Sequence, residues 1–173
     1  MKFKMNIFIT ISLLTGCASM QYEPVSENDR TITTIIEANG LKKEKIFNGT
    51  KIWIAENFKS AKQVIEYENK EDGTIIGNGV INYPCQGGMD CIVKADWKVP
   101  FTVRVDTKDE KFRLTFTNIN LSWPASYNSG ILSPAYNGPV HNKYDLDVIK
   151  PKLLNFGNEI NQSLKGNSAT SNW

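Results

Sequence analysis

The pattern of hydrophobic and polar positions along the chain predicts five strands. In the first, fourth and fifth stretches apolar residues alternate with polar ones, as they do when one face of a strand is buried and the other is solvated. The second and third stretches flank a predicted hairpin turn at residues 69–73. In the fourth stretch, for example, Phe101 and Val103 fall on the face opposite to Arg104. The predicted strands are Thr31–Ala38, Lys62–Glu68, Thr74–Tyr83, Asp96–Asp106 and Lys111–Leu121.

Apolar residues spaced three or four positions apart predict two helices. The first spans Leu41–Phe58, and Gly49 within it costs about 1 kcal/mol relative to alanine, which indicates a close helix–sheet contact there. The second covers the last apolar stretch, where Pro151 predicts a kink or a second helix start. Its apolar positions are Leu146, Ile149, Leu153, Phe156, Ile160 and Leu164.

The segment between the last strand and the last helix is predicted to be a loop. Ser122–Asn142 contains three prolines and two glycines, residues that interrupt helices and strands. Just before it, near Thr117, the apolar positions change parity, which indicates a β-bulge or a strand end.

The order of the predicted elements indicates an α+β fold. A strand and a helix are followed by a four-strand meander and a second helix, so we expect one antiparallel sheet of about five strands with both helices packed on one face. The chain of 173 residues is 40% hydrophobic, enough for one core. We therefore predict a single domain over residues 31–166, a tether over residues 17–30 and a flexible tail over residues 167–173.

The first seventeen residues resemble the leader of a bacterial lipoprotein. Lys2 and Lys4 precede an apolar segment too short to span a bilayer, and Leu14-Thr-Gly-Cys17 resembles the lipobox. The resemblance implies a signal peptide over residues 1–16 and a Cys17 that carries acyl chains, two or three of which anchor a protein stably. An ordinary cleaved signal with a chance cysteine is the alternative. We expect an envelope protein on the outer membrane, facing the periplasm, because no aspartate follows Cys17.

Removal of the leader changes the charge balance. It takes away Lys2 and Lys4 and leaves 18 basic and 18 acidic residues. A neutral chain lacks the surplus of positive charge that gives proteins non-specific affinity for nucleic acid. We therefore expect no nucleic-acid partner, and a membrane contact through the lipid.

Cys85 and Cys91 are predicted to form a disulfide. An exported chain meets an oxidising compartment, where a pair of cysteines at short spacing pairs readily. A redox-active pair or a metal-binding pair is the alternative, but five intervening residues do not match the usual zinc spacing and the chain has one histidine. We expect no metal and no cofactor.

The search for catalytic groups yields one weak candidate pair. Glu66 and Glu68 are predicted to share one strand face about 6.6 Å apart, which touches the separation used by inverting glycosidases. That face is predicted to be solvated and offers no pocket to raise a carboxyl pKa. His141, the single histidine, is predicted to lie in a surface loop. We predict no catalytic residues.

The predicted loop is the candidate binding surface. Trp123, Tyr127 and Tyr136 lie there among prolines and glycines, and tryptophan and tyrosine are frequent anchors of binding surfaces. The alternative is that these side chains fold back over the open end of the sheet and complete the core.

The stretch Ile52–Gly79 resembles the central block of a known family, the domain of unknown function 4468, which has a TBP-like fold. The block has a tryptophan-containing helix, a strand, an acidic turn and an Ile-x-Gly-x-Gly strand, and the resemblance covers roughly residues 30–120. It implies a short, often lipidated envelope protein with no assigned reaction. We expect a non-enzymatic binding module for an envelope protein or a small ligand. A carboxylate-dependent cell-wall or glycan hydrolase and an immunity-type protein are the alternatives.

Overall fold

The five predicted strands form an antiparallel sheet in the computed structural model, which describes residues 23–58, 65–128 and 130–166. The strands are β1 Ile32–Glu37, β2 Ile65–Asn69, β3 Thr74–Asn82, β4 Lys98–Lys108 and β5 Lys111–Thr117. The order across the sheet is β1-β5-β4-β3-β2, so β1 pairs with the last strand of the meander β2 to β5. The predicted signal peptide, Cys17 and the predicted tail lie outside the described residues.

Two long helices cover one face of this sheet, as predicted. They are α1, Lys43–Asn57, and α3, Lys143–Gly166, which contact each other as well as the strands. Pro151 lies inside α3 without dividing it, so the second helix start suggested by the sequence is wrong. Ile149 and Leu153 are fully buried on either side of the proline, and this packing holds the helix against the sheet although the proline removes one backbone hydrogen bond.

The core between helices and sheet is mainly aromatic and β-branched. Gly79 lies directly opposite Phe101 on β4, and a Cβ at Gly79 would come within 2.5 Å of the Phe101 ring. Because Gly79 has no side chain, the Phe101 ring has room to lie across β3 at this position. Gly49 of α1 faces Leu164 of α3 in the same way, so the close contact expected at Gly49 is between two helices and not between helix and sheet.

The segment predicted as a loop contains strands. Asn118 has a positive φ of 50° and ends β5 where the apolar pattern changes parity, after which Ile119 and Leu121 are buried. The added strands are β6 Asn120–Trp123, β7 Ser126–Asn128, β8 Ile131–Ser133 and β9 Tyr136–Pro139. Because β6 pairs with both β4 and β9, the sheet has seven strands and not about five, while β7 and β8 form a separate hairpin.

Two further segments are ordered more than the sequence indicates. The connection that holds the two cysteines contains a short helix, α2, Gly88–Val93. Residues 23–30 lie against the domain: Val25 is buried, and the backbone N–H of Lys143 donates to the carbonyl of Glu23 at 2.8 Å. The chain therefore enters the fold beside the first residue of α3.

Candidate functional site

Trp123 and Tyr136, two of the three predicted binding residues, lie in direct contact. They face each other across β6 and β9, with their rings stacked at 4.5 Å between centroids. Trp97, just before β4, stacks on the other side of Trp123 at 4.1 Å. Tyr83 and His141 continue the row at its two ends with edge contacts of 5.6 Å and 5.7 Å. The result is a row of five rings along one end of the sheet.

Tyr127, the third predicted residue, lies apart from this row on the β7–β8 hairpin. The hairpin leaves the fold directly after Trp123 and returns at Tyr136, so the stacked pair forms its base. Its large side chains face solvent, with exposed fractions of 74% for Tyr127, 71% for Ile131 and 63% for Leu132. From Leu121 to Asn142 the sequence has no aspartate, glutamate, lysine or arginine. The hairpin is thus an uncharged, apolar projection.

Helix α2 presents a second exposed apolar group close to the same end of the fold. Met89, Ile92 and Val93 are 70%, 70% and 64% exposed, and the segment is closed by the Cys85–Cys91 disulfide, whose Cα atoms lie 5.0 Å apart. We call the two groups together the apolar end; it comprises Met89, Ile92, Val93, Tyr127, Ile131 and Leu132. The sequence signal for the α2 part is the apolar Met89 inside the disulfide ring and the apolar Ile92 and Val93 directly after it.

A buried polar cluster fixes α2 to the start of α3. The hydroxyl of Tyr83 donates to the Asp145 carboxylate at 2.6 Å, and the Lys94 ammonium donates to the same oxygen at 2.8 Å. Asn142 caps α3, since its side-chain oxygen accepts from the backbone N–H of Asp145 at 2.8 Å and its amide donates to the Asp145 carboxylate at 2.6 Å. Asp90 of α2 completes the cluster with an ion pair to Lys94 at 2.9 Å.

The electrostatics of this cluster favour a structural role. Burial, together with the hydrogen bond to Asp145, raises the pKa of Tyr83. Burial lowers the pKa of Lys94, but hydrogen bonds to Asp145, Tyr83 and Asp90 outweigh it and raise the pKa. Lys94 is therefore protonated at neutral pH and is no nucleophile, and its charge also lies over the rings of Tyr83, Tyr144 and Trp97 at 4.4 Å, 4.9 Å and 5.1 Å.

The two carboxylates considered for catalysis lie on opposite faces of the sheet. A β-bulge between Ile65 and Tyr67 shifts the register of β2. Glu66 accepts a hydrogen bond from Asn78 on the open face at 2.5 Å, whereas Glu68 pairs with Lys51 of α1 at 2.6 Å. The expectation that Glu66 and Glu68 share a face is therefore wrong.

The open face of the sheet carries a second charged group. Asp106 accepts from Arg104 at 2.9 Å and from Arg113 at 2.8 Å, and although burial alone would raise its pKa, these bonds and one from Thr74 lower it. A shallow depression of about 230 Å³ lies beside this group and Ile35. The depression is lined by Lys108 and Lys111 as well as by Arg113, whose guanidinium group is already paired with Asp106.

The described part of the chain contains neither a cluster of metal-binding side chains nor a membrane-spanning helix. Within residues 23–58, 65–128 and 130–166, no group of three histidine, cysteine, aspartate or glutamate side chains is placed to hold a metal ion. Over the same ranges, no helix combines the length and the hydropathy needed to cross a bilayer.

Known proteins resemble this chain in fold. A family model described as a domain of unknown function (DUF4468) with TBP-like fold matches residues 33–122, just over half of the chain. The crystal structure of a TBP-like protein from Parabacteroides distasonis matches with a TM-score of 0.56 and 14% identity, over 87% of this chain and 98% of that one. A DUF4468 family protein from Bacteroides ovatus matches with a TM-score of 0.50 and 12% identity, over 82% and 88%.

No curated protein sequence matches this chain significantly. At 14% and 12% identity, the two crystal structures establish the fold and carry no information about a ligand. The family match covers α1, the sheet strands β2 to β5 and most of β6, and ends before the β7–β8 hairpin. The chain belongs to the DUF4468 family, a domain of unknown function with a TBP-like fold.

Proposed function

We propose that this chain is a lipid-anchored protein of the bacterial envelope whose domain binds another envelope component and catalyses no reaction. The observation that carries the proposal is the apolar end, where six large hydrophobic side chains are each 63–74% exposed. Exposed apolar groups of this size mark interaction surfaces in folded proteins. The predicted surface of Trp123, Tyr127 and Tyr136 forms the base and one side of its hairpin.

The state of the polar groups supports binding over catalysis. Asp145, 3% exposed, is bonded to Tyr83, Lys94 and Asn142, and no room is left on it for a substrate. Glu66 and Glu68, on opposite faces, cannot act on one glycosidic bond. A general acid and base must both reach the reacting group, and neither of these sets meets that condition.

The entry of the chain into the fold determines how closely the proposed anchor would hold the domain. Glu23 is held at the start of α3, only six residues after Cys17 in the sequence. An acylated Cys17 would therefore keep the domain close to the membrane and present it to other envelope components. The neutral charge of the mature chain is compatible with a contact made by apolar side chains.

Site-specific photo-cross-linking in intact cells tests the binding surface. p-Benzoylphenylalanine replaces Tyr127 in the full chain, and a matched control replaces Tyr67, which is 49% exposed on β2. We expect adducts with an envelope component, protein or lipid, at position 127 in several-fold excess over position 67. Equal and low yields at both positions would contradict a binding role for the apolar end.

A further inference from the structure

We infer that the apolar end rests on the lipid surface of the membrane that holds the chain, with the β7–β8 hairpin entering the headgroup region. The inference rests on the proposed lipid anchor and names the envelope component that the apolar end contacts. Its basis is the place where the chain leaves the described fold, together with the chemistry of the side chains found there.

The covalent tether keeps the start of α3 near the membrane. The N–H of Val25 donates to the carbonyl of His141 at 3.1 Å, and Pro24 forms a β-bridge with Asn142. These contacts fix the point at which the tether leaves the domain. Glu23 lies six positions after Cys17, so the acylated cysteine can lie at most about 20 Å from Glu23.

Direct contacts connect this exit point to the hairpin. The ring of His141 touches that of Tyr136 at 5.7 Å, and Tyr136 stacks on Trp123 at 4.5 Å. The hairpin begins and ends at this stacked pair. On the other side, the ion pair of Lys94 with Asp145 at 2.8 Å holds α2 against the first turn of α3. Residues 23–25, the base of the hairpin and α2 therefore lie at one end of the fold.

The side chains at this end suit the region between lipid headgroups and acyl chains. Tyr127, Ile131 and Leu132 are apolar or amphipathic, and no charged residue lies between Leu121 and Asn142. Tyrosine and tryptophan are enriched at membrane interfaces, where charged side chains among the acyl chains are costly. The opposite end of the sheet carries the exposed ion pairs Lys42–Asp109 and Glu44–Lys70. At the membrane-facing end the charged side chains lie outside the hairpin, as in the exposed pair Lys143–Asp147 at the start of α3.

The backbone of the hairpin limits how deeply it can enter the membrane. Ser126 pairs with Ser133, Tyr127 with Leu132, and Asn128 with Ile131, and these two strands pair only with each other. Their outer edges therefore keep backbone groups that need water, which places the hairpin in the hydrated headgroup region and not among the acyl chains. The hairpin carries no charged side chain with which a protein partner could form an ion pair.

Spin-label accessibility in reconstituted vesicles tests the inference on the full lipidated protein. Because Cys85 and Cys91 are paired and Cys17 carries the lipid, one added cysteine provides a single free thiol. The test variant is Ile131→Cys, and the matched control is Ile35→Cys, an isoleucine that is 61% exposed on the open face of the sheet. Both are labelled with a nitroxide and placed in vesicles of phosphatidylethanolamine and phosphatidylglycerol.

We expect the label at position 131 to collide several-fold more with lipid-soluble oxygen than with a water-soluble nickel chelate, and the label at position 35 to show the reverse. If the protein floats with the vesicles while position 131 is as open to nickel as position 35, the inference fails and the anchor stands. If the protein does not float, the anchor fails and the inference with it. Protection of position 131 only in native envelope membranes would assign the surface to a protein partner and overturn the lipid contact.

Discussion

Trp123 and Tyr136 lie opposite each other on β6 and β9, with their rings 4.5 Å apart and 22° from parallel. Trp97 stacks on the far side of Trp123, and the hydroxyl of Tyr136 donates to the carbonyl of Pro139 at 2.8 Å. This arrangement makes the base of the hairpin part of the folded domain, whereas Tyr127 near its tip is 74% exposed. The packed side chains and the exposed side chains are thus separated along one short segment.

We expect Tyr136→Ala and Tyr127→Ala to differ strongly in stability. Loss of the Tyr136 ring removes a stacked contact and half-buried area and should lower the free energy of unfolding by about 2–3 kcal/mol. Loss of Tyr127 should change it by less than about 0.5 kcal/mol while reducing the cross-linking or lipid contact of the apolar end. Urea denaturation of both variants measures the difference. A comparable loss in both would place Tyr127 in the core and refute its role in binding.

The sequence pattern identifies the layers of the fold but not the connections between them. Strands such as β4 alternate cleanly because one face is buried, and the period of two is visible in the sequence alone. The segment after Thr117 hides its strands because β6 and β9 pair at an edge where glycine and proline are tolerated. Asn120–Trp123 joins the main sheet through the pairing of Ser122 with Lys98 on β4, and these two residues are far apart in the sequence.

The candidate site shows the same limit. Aromatic residues among prolines and glycines predict a binding surface, and Trp123 and Tyr136 do meet. The participation of Trp97 and His141 depends on strand pairing between distant segments, which no local pattern reveals. A regular strand would put Glu66 and Glu68 on one face. A single β-bulge reverses that placement, since the side chains of a strand alternate between its faces.

The Cys85–Cys91 disulfide should contribute about 2–3 kcal/mol, because closing this small ring lowers the entropy of the unfolded chain. We expect the double variant Cys85→Ala/Cys91→Ala to lose that much stability while keeping the sheet, since the Lys94–Asp145 ion pair lies outside the ring. Denaturation of wild type and variant measures the loss. Two free thiols in the denatured, unreduced Cys17→Ala protein would contradict the disulfide.

Gly79→Ala should destabilise the domain by about 1–3 kcal/mol, as overpacking of a filled core does. The new methyl group would meet the Phe101 ring, which itself contacts Phe58 at 5.5 Å and Phe116 at 5.7 Å, so the ring has little room to move. Gly166→Ala, at the end of α3 with no atom near the added Cβ, is the control and should be neutral. Thermal melting compares the two, and equal melting temperatures would refute the close packing at Gly79.

Cys17→Ala should release the protein from the membrane fraction or leave the leader uncleaved. Without acyl chains, the apolar end alone would give only weak and reversible contact with lipid. Ser19→Ala leaves the cysteine in place and serves as the control. Fractionation and mass spectrometry of the two variants measure anchoring and processing. Unchanged membrane association and unchanged mass in Cys17→Ala would contradict the lipoprotein assignment.

Tyr83→Phe should lower the free energy of unfolding by about 1–2 kcal/mol at neutral pH, because Asp145 loses a buried hydrogen-bond donor while the ring stays in place. Since the folded state raises the pKa of Tyr83, the phenol stabilises the fold fully below the unfolded pKa, near 10. This contribution is lost as the pH rises through the higher folded value.

The difference in stability between wild type and Tyr83→Phe should therefore be constant up to about pH 9 and shrink as the pH rises to about 11. Lys94, whose pKa is also raised, is present in both proteins, so its titration contributes to both stability curves. The difference between the curves therefore reports the titration of Tyr83. Urea denaturation at a series of pH values gives the two curves. Curves that stay parallel through this range would show that the Tyr83 hydroxyl is not held by Asp145 in the folded protein.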